Sequence, residues 1–195
     1  MTAKGEFMRR IQALLAIPMV LAVAASISCG GGGDSPSGTN NNTTIYSGTF
    51  APDDPNPGAN SVALSGSSNQ NIVTLAVNVS GTNDVSGAAF DVTFDANKAE
   101  FAGWSPGLLL EQGGHQVAYQ LNSQQAGRVI VGVSRTTVGA GASAGIATPL
   151  VLLRLRAIGA GNSPIGFSNA DLLNAANPPA TKSGISFSGG TLSAN

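Results

Sequence analysis

The sequence predicts an all-β sandwich of about nine short strands, and three observations carry that expectation. Apolar and polar residues alternate with a period of two in segment after segment. Clusters of Gly, Asn, Ser and Pro separate those segments, as turns require. Charged residues make up only 10% of the chain, and Gly alone contributes 26 residues. A chain of this kind wets its surface with hydroxyls and amides.

The N-terminus reads differently from the rest. Arg9 and Arg10 precede an apolar run from Ile11 to Ile27, interrupted by Pro18. A basic stretch, an apolar stretch and small residues before a cut site make a secretory signal peptide. A run of seventeen residues stands at the lower edge of a membrane span, and a proline inside a helix removes a hydrogen bond, so a cleaved signal over residues 1–28 is the expectation. Met8-Arg9-Arg10 is an alternative start. Cys29, the single cysteine, follows Ser28 and precedes Gly30 to Gly33. The arrangement resembles the lipobox of a bacterial lipoprotein, which implies acylation (palmitate among the chains) at Cys29 and a membrane anchor. Ser26 departs from the usual Leu of that motif. The competing expectation is a cut near Ala22-Val23-Ala24 that leaves Cys29 a free thiol. Residue 30 is Gly rather than Asp, so the location expected is the cell envelope, the outer membrane if the cell is Gram-negative.

Residues 29–44 are expected to be a flexible Gly/Ser/Asn-rich tether, having no apolar periodicity. Residues 45–195 are expected to form the single folded domain. After residue 28, six basic and nine acidic residues remain, a formal net charge of −3. No basic patch marks a nucleic-acid partner. The domain is expected to be monomeric, with no cofactor.

The strands are justified in order. Ser61 to Leu64 open the series. Val73, Leu75, Val77 and Val79 alternate with Thr74, Ala76 and Asn78. Phe90, Val92 and Phe94 alternate with Asp91, Thr93 and Asp95. Phe101 and Trp104 follow, closed by Pro106-Gly107. Val117, Tyr119 and Leu121 alternate with Ala118 and Gln120, and Val129, Val131 and Val133 come next. Residues 135–149 read as a loop. Val151, Leu153, Leu155 and Ala157 alternate with Leu152, Arg154 and Arg156. Ile165 and Phe167 begin another strand, Asp171 to Ala176 a short helical turn, and Ile185-Ser-Phe187 through Leu192 a last strand. The sequence has no internal repeat.

The order of these motifs resembles the cohesin domain, over about residues 60–193. Val73 to Val79 leading through Val85 to Asp95 into Ala99-Glu-Phe101 is similar to the Val-rich and Phe-rich strands of cohesins. Pro149 to Ala157 is similar to a Leu-rich cohesin strand with interleaved basic residues. Ile165 to Thr191 is similar to the closing segment. The resemblance implies a jelly-roll β-sandwich, related in fold to carbohydrate-binding modules. It implies a non-enzymatic module that docks a protein, dockerin-like or other, on a flat sheet face. That face would be built partly from Ser86–Asp95 and Pro149–Ala157, with Asp91, Thr93, Leu152, Arg154 and Arg156 outward. If those strands are neighbours, Asp91 pairs with Arg154 or Arg156. The chain departs from cohesins in having Phe94-Asp95-Ala96 where a Tyr-Asp-Pro is usual, and only one copy of the domain.

The remaining motifs are weaker. Trp104 and Tyr119 offer a sugar-stacking pair for an alternative, polysaccharide-binding role, against ordinary core packing. Gly141-Ala-Ser-Ala-Gly145 matches the nucleophile-elbow pattern. It lies in a loop with His115 upstream, so a chance match is expected. One histidine offers no zinc set, and Asp53-Asp54-Pro-Asn56 lacks the later Glu of a calcium loop. Neither a metal nor a catalytic residue is expected.

Overall fold

In the computed structural model, residues 44–137 and 139–195 are described. Cys29, the signal segment and most of the tether lie outside them. Twelve strands run in chain order: β1 (Gly48–Pro52), β2 (Ser61–Asn69), β3 (Ile72–Ser80), β4 (Thr82–Thr93), β5 (Ala99–Pro106), β6 (Val117–Asn122), β7 (Arg128–Arg135), β8 (Ala142–Ala144), β9 (Thr148–Ala157), β10 (Gly161–Asn174), β11 (Ser186–Ser188) and β12 (Gly190–Ala194). A 3-10 turn at Gln112–Gly114 is the helical element among the described residues.

The strands form two sheets. One has seven strands in the order β1-β12-β10-β4-β7-β6, with β8 beside the start of β4. The other has five, in the order β11-β2-β3-β9-β5. Pairing is antiparallel except between β11 and β2. Alternation along each strand sends one set of side chains between the sheets. Val73, Leu75, Val77 and Val79 of β3 are fully buried, as are Leu153 and Leu155 of β9. From the other sheet come Phe90 and Val92 of β4, Val129 and Val131 of β7, Ile165 and Leu172 of β10, and Leu192 of β12. Each such side chain contributes about 1.5–3 kcal/mol by leaving water. Residues 42–195 make one compact unit, and this core and both sheets lie wholly within it, so the unit holds what it needs to fold by itself.

Three strands exceed the expected nine. β1 is a short Gly-Thr-Phe-Ala-Pro strand without alternation. Its Phe50 ring occupies the space a Cβ would need at Gly66 and at Gly190, so those glycines create its seat. β8 forms inside the expected loop because Ala142 and Ala144 are small enough to bury against β4. The expected last strand is two. A Cβ at Gly189 would stand 2.0 Å from the Ile165 carbonyl oxygen, and this close crossing lets the chain leave the five-stranded sheet as β11 and enter the seven-stranded sheet as β12. Asp171 to Ala176 is not a helical turn. β10 continues through it to Asn174, held by pairing with β4.

Candidate functional site

Asp91 and Thr93 sit on β4 of the seven-stranded sheet, whereas Leu152, Arg154 and Arg156 sit on β9 of the five-stranded sheet. The expected single face therefore does not exist. The two groups point outward from opposite sides of the sandwich, and Asp91 pairs with neither arginine of β9.

Asp91 is also not a solvated surface residue, being only 3% exposed. Its Oδ2 accepts from Arg128 Nη2 and from Asn169 Nδ2, each at 2.6 Å. Arg128 comes from β7, the neighbouring strand. Asn169 comes from a bulge in β10, where the register with β4 slips between Ser168 and Asp171. Asn169 takes a φ of +48°, a left-handed conformation that asparagine tolerates better than most residues. The bulge thereby turns the Asn169 amide over the sheet and onto the carboxylate. Burial by itself would raise the Asp91 pKa. The hydrogen bonds from Asn169 and Arg128, the Arg128 charge and a hydrogen bond from Ser168 outweigh it and hold the carboxyl below its ordinary value.

With the Asp91 charge paired to Arg128, the outer face of β4, β7 and β6 is level and nearly uncharged. Register places Ala89 opposite Gly132, and Gly132 opposite Gln120. Ala118 faces Ser134 in the next row, and Asn122 faces Ile130. Ile130 is 42% exposed. Small side chains keep the surface flat because nothing rises from Ala89, Gly132 or Ala118.

The outer face of the five-stranded sheet is more polar. Ser65, Ser67, Thr74 and Asn78 line it on β2 and β3. Arg156 meets Glu100 at 3.0 Å, with both side chains half exposed, and such a pair is worth about 0.2–1 kcal/mol. Arg154 Nη2 donates to the Trp104 carbonyl at 3.2 Å.

Trp104 and Tyr119 meet across the open side of the sandwich, from edge strands β5 and β6. Their ring centroids are 5.1 Å apart with planes tilted by 35°. Both are half buried and pack on the core. The Tyr119 hydroxyl donates to the Gly107 carbonyl at 3.4 Å, and burial together with Glu111 pushes its pKa up. The two rings face each other at a tilt, and both line an open cavity with Gln120, Asn122 and Ile130.

Ser143 of the Gly-x-Ser-x-Gly match lies in β8, not at a strand-to-helix turn. His115 Nδ1 pairs with Thr137 Oγ1 at 3.1 Å. Asp54 accepts from the Asn56 backbone N–H at 3.0 Å in a local turn. Sequence reasoning passed over Arg135, whose guanidinium donates to the carbonyls of Leu110, Gln112 and Ala140 and so fastens the segment leading into β6.

No family model matches the sequence, and no curated protein matches it. Solved structures do. The second type II cohesin module from the adaptor ScaA scaffoldin of Acetivibrio cellulolyticus aligns with a TM-score of 0.54 at 12% identity, covering 76% of this chain and 90% of that one. The chain has the cohesin fold. The sixth cohesin of scaffoldin B from the same organism, solved in complex with a mutant Cel5 dockerin, aligns at 0.50 and 18% identity, over 76% and 97% of the two chains. The cohesin CaCohA2, solved in complex with a point variant of the dockerin CaDoc0917, aligns at 0.52 and 16%, over 62% and 86%. Within the cohesin fold of this chain, the level outer face of β4, β7 and β6 is the broad surface with the fewest charges.

Proposed function

We propose that this chain is a non-enzymatic docking module, exported and held at the cell envelope through a lipid on Cys29, whose partner is a protein bound on the outer face of β4, β7 and β6. The observation that carries the reading is the character of that face. It is broad, built of Ala89, Gly132, Ala118 and Ser134, with Ile130 exposed and the carboxylate of its one acid–base pair buried against the sheet. The centres of protein interfaces are depleted of charge and closely packed, and a level sheet of small residues offers such a centre. The solved structures of two cohesins with dockerins, in the same fold, support a protein over other ligands.

Ala89→Arg raises a long charged side chain in the middle of this face. It is expected to abolish retention of a protein captured from envelope extracts by the wild-type domain, with melting unchanged because Ala89 is exposed. Arg154→Glu with Arg156→Glu, on the opposite sheet, is expected to leave capture intact. Capture lost in the β9 pair and kept in Ala89→Arg would place the interface on the five-stranded sheet. A polysaccharide pull-down run in parallel tests the glycan alternative, which the tilted Trp104–Tyr119 pair does not favour.

The anchor has its own test. Cys29→Ala is expected to move the protein from the membrane fraction to the soluble fraction, with the folded domain unchanged. Persistence in the membrane fraction would remove the lipid from this reading.

A further inference from the structure

Five of the described strands have a neighbour on one side only, and four of them are guarded, β8 by having just three residues. Unpaired edges invite another strand, and proteins blunt them by shortness, proline, charge or a bulge. β1 has five residues, ends at Pro52, and has its first N–H bonded to the Gln70 carbonyl. β11 has three residues. β5 carries a register break between Phe101 and Gly103, the Glu100 charge and Pro106. β6 has none of these. Its six residues, Val-Ala-Tyr-Gln-Leu-Asn, hold no charge, proline or glycine, and its register with β7 is unbroken from Val117 to Asn122.

The free backbone groups of β6 can be assigned. Thr136 N–H donates to the Gln116 carbonyl at 3.0 Å, continuing the β6–β7 ladder. Alternation then turns the backbone groups of Ala118, Gln120 and Asn122 toward β7. Those of Val117, Tyr119 and Leu121 point to the open side, where no described strand pairs with them. Such a row of donors and acceptors is complementary to an extended polypeptide backbone.

We propose that β6 pairs with β6 of a second copy of this chain, antiparallel about a two-fold axis at Tyr119, joining two seven-stranded sheets into one. The sequence of the strand fits its own reverse. Val117 falls opposite Leu121 of the second copy on the inner side, extending the apolar core across the junction. Ala118 falls opposite Gln120 of the second copy on the outer side, and Asn122 opposite Gln116. No charge opposes a like charge in this register. The three outward residues on each strand exchange about six backbone hydrogen bonds. A two-fold arrangement repeats each favourable contact and closes after two subunits, so it forms a dimer and not a fibre. The sequence alone suggested a monomer. The edge position of β6 becomes visible only once the strands are placed.

Sedimentation velocity on residues 42–195 tests the pairing without reference to any docking partner. A reversible monomer–dimer equilibrium is expected for the wild type. A118K/Q120K sets lysines opposite one another on the exposed face, and A118E/Q120E does the same with acids. Each variant is expected to melt like the wild type and to associate at least about tenfold more weakly. Mixed in equal amounts they are expected to recover a dimer, because position 118 of one meets position 120 of the other. A wild type that stays monomeric up to roughly 1 mM overturns the proposal. So does a wild-type dimer that the lysines leave intact, or a mixture whose components remain apart.

Discussion

Phe90→Ala is expected to lower the unfolding free energy by about 3–5 kcal/mol, read as a fall in the urea midpoint. Phe90 lies in β4, the long central strand of the seven-stranded sheet, and is only 2% exposed. Its ring meets Phe167 of β10 edge-on, with centroids 5.5 Å apart and planes at 80°. Phe167 in turn meets Phe187 of β11 at 5.5 Å and 63°. The three rings form a chain from the middle of one sheet to the edge strand of the other. Deleting the first removes its own buried area, leaves a cavity and strips Phe167 of one partner. Edge-to-face pairs contribute about 0.5–1.5 kcal/mol beyond burial, so the cost belongs at the upper end of the range. A loss below about 1 kcal/mol would mean that these rings do not pack as described.

Asp91→Ala is expected to cost about 2–4 kcal/mol at neutral pH, since it takes a carboxylate from two short hydrogen bonds and leaves the Asn169 amide and part of the Arg128 guanidinium without an acceptor. The Arg128 side chain is 32% exposed, and water reaching it keeps the figure below that of a fully buried pair. The pH dependence has a definite sign. The folded-state pKa of Asp91 lies below the ordinary value of 3.8. The stabilisation is therefore present above that value and lost as the pH falls through the lower folded-state pKa. Unfolding curves of wild type and variant should differ most near neutrality and converge in strong acid. A difference that stayed constant with pH would mean that the ionised carboxylate is not the source of the stability.

The legible and illegible parts of this fold divide by range. β3 and β9 were readable because Val73 to Val79 and Val151 to Ala157 declare their buried faces by local alternation. Their partnership in one sheet has no local signature, and neither has the placement of β4 in the other. For that reason Asp91 and Arg154 looked like candidate neighbours. Phase alone sent Asp91 outward, which is correct for its Cα–Cβ direction. Its burial came from Asn169, 78 residues later, through a bulge whose sequence, Ser168-Asn-Ala-Asp171, reads as an ordinary polar stretch. Gly189 and Gly190 fall inside the single last strand that the sequence predicts. Their function as a crossing between sheets depends on Ile165 and Phe50, which lie far off in the chain. Tyr119 is in phase with core residues, and that phase holds, whereas Trp104 reaches the core only through the register break between Phe101 and Gly103. What the sequence left open was that they meet each other at the rim of the sandwich.

One feature of the fold bears on mechanical load. Ser47 and Asn195 exchange backbone hydrogen bonds at 2.9 and 3.2 Å, just before β1 and just after β12. Tension arriving through residue 44 therefore reaches the domain at a corner of the seven-stranded sheet, on β1. β6 lies at the far side of that sheet, across five strand spacings, or about 24 Å. A partner seated on β4, β7 and β6 would be pulled through the width of the sheet and not through the strand nearest the tether. Resistance to a pull on residue 44 begins with the β1–β12 ladder, so the grip of five residue pairs sets how much force the domain bears before it starts to peel.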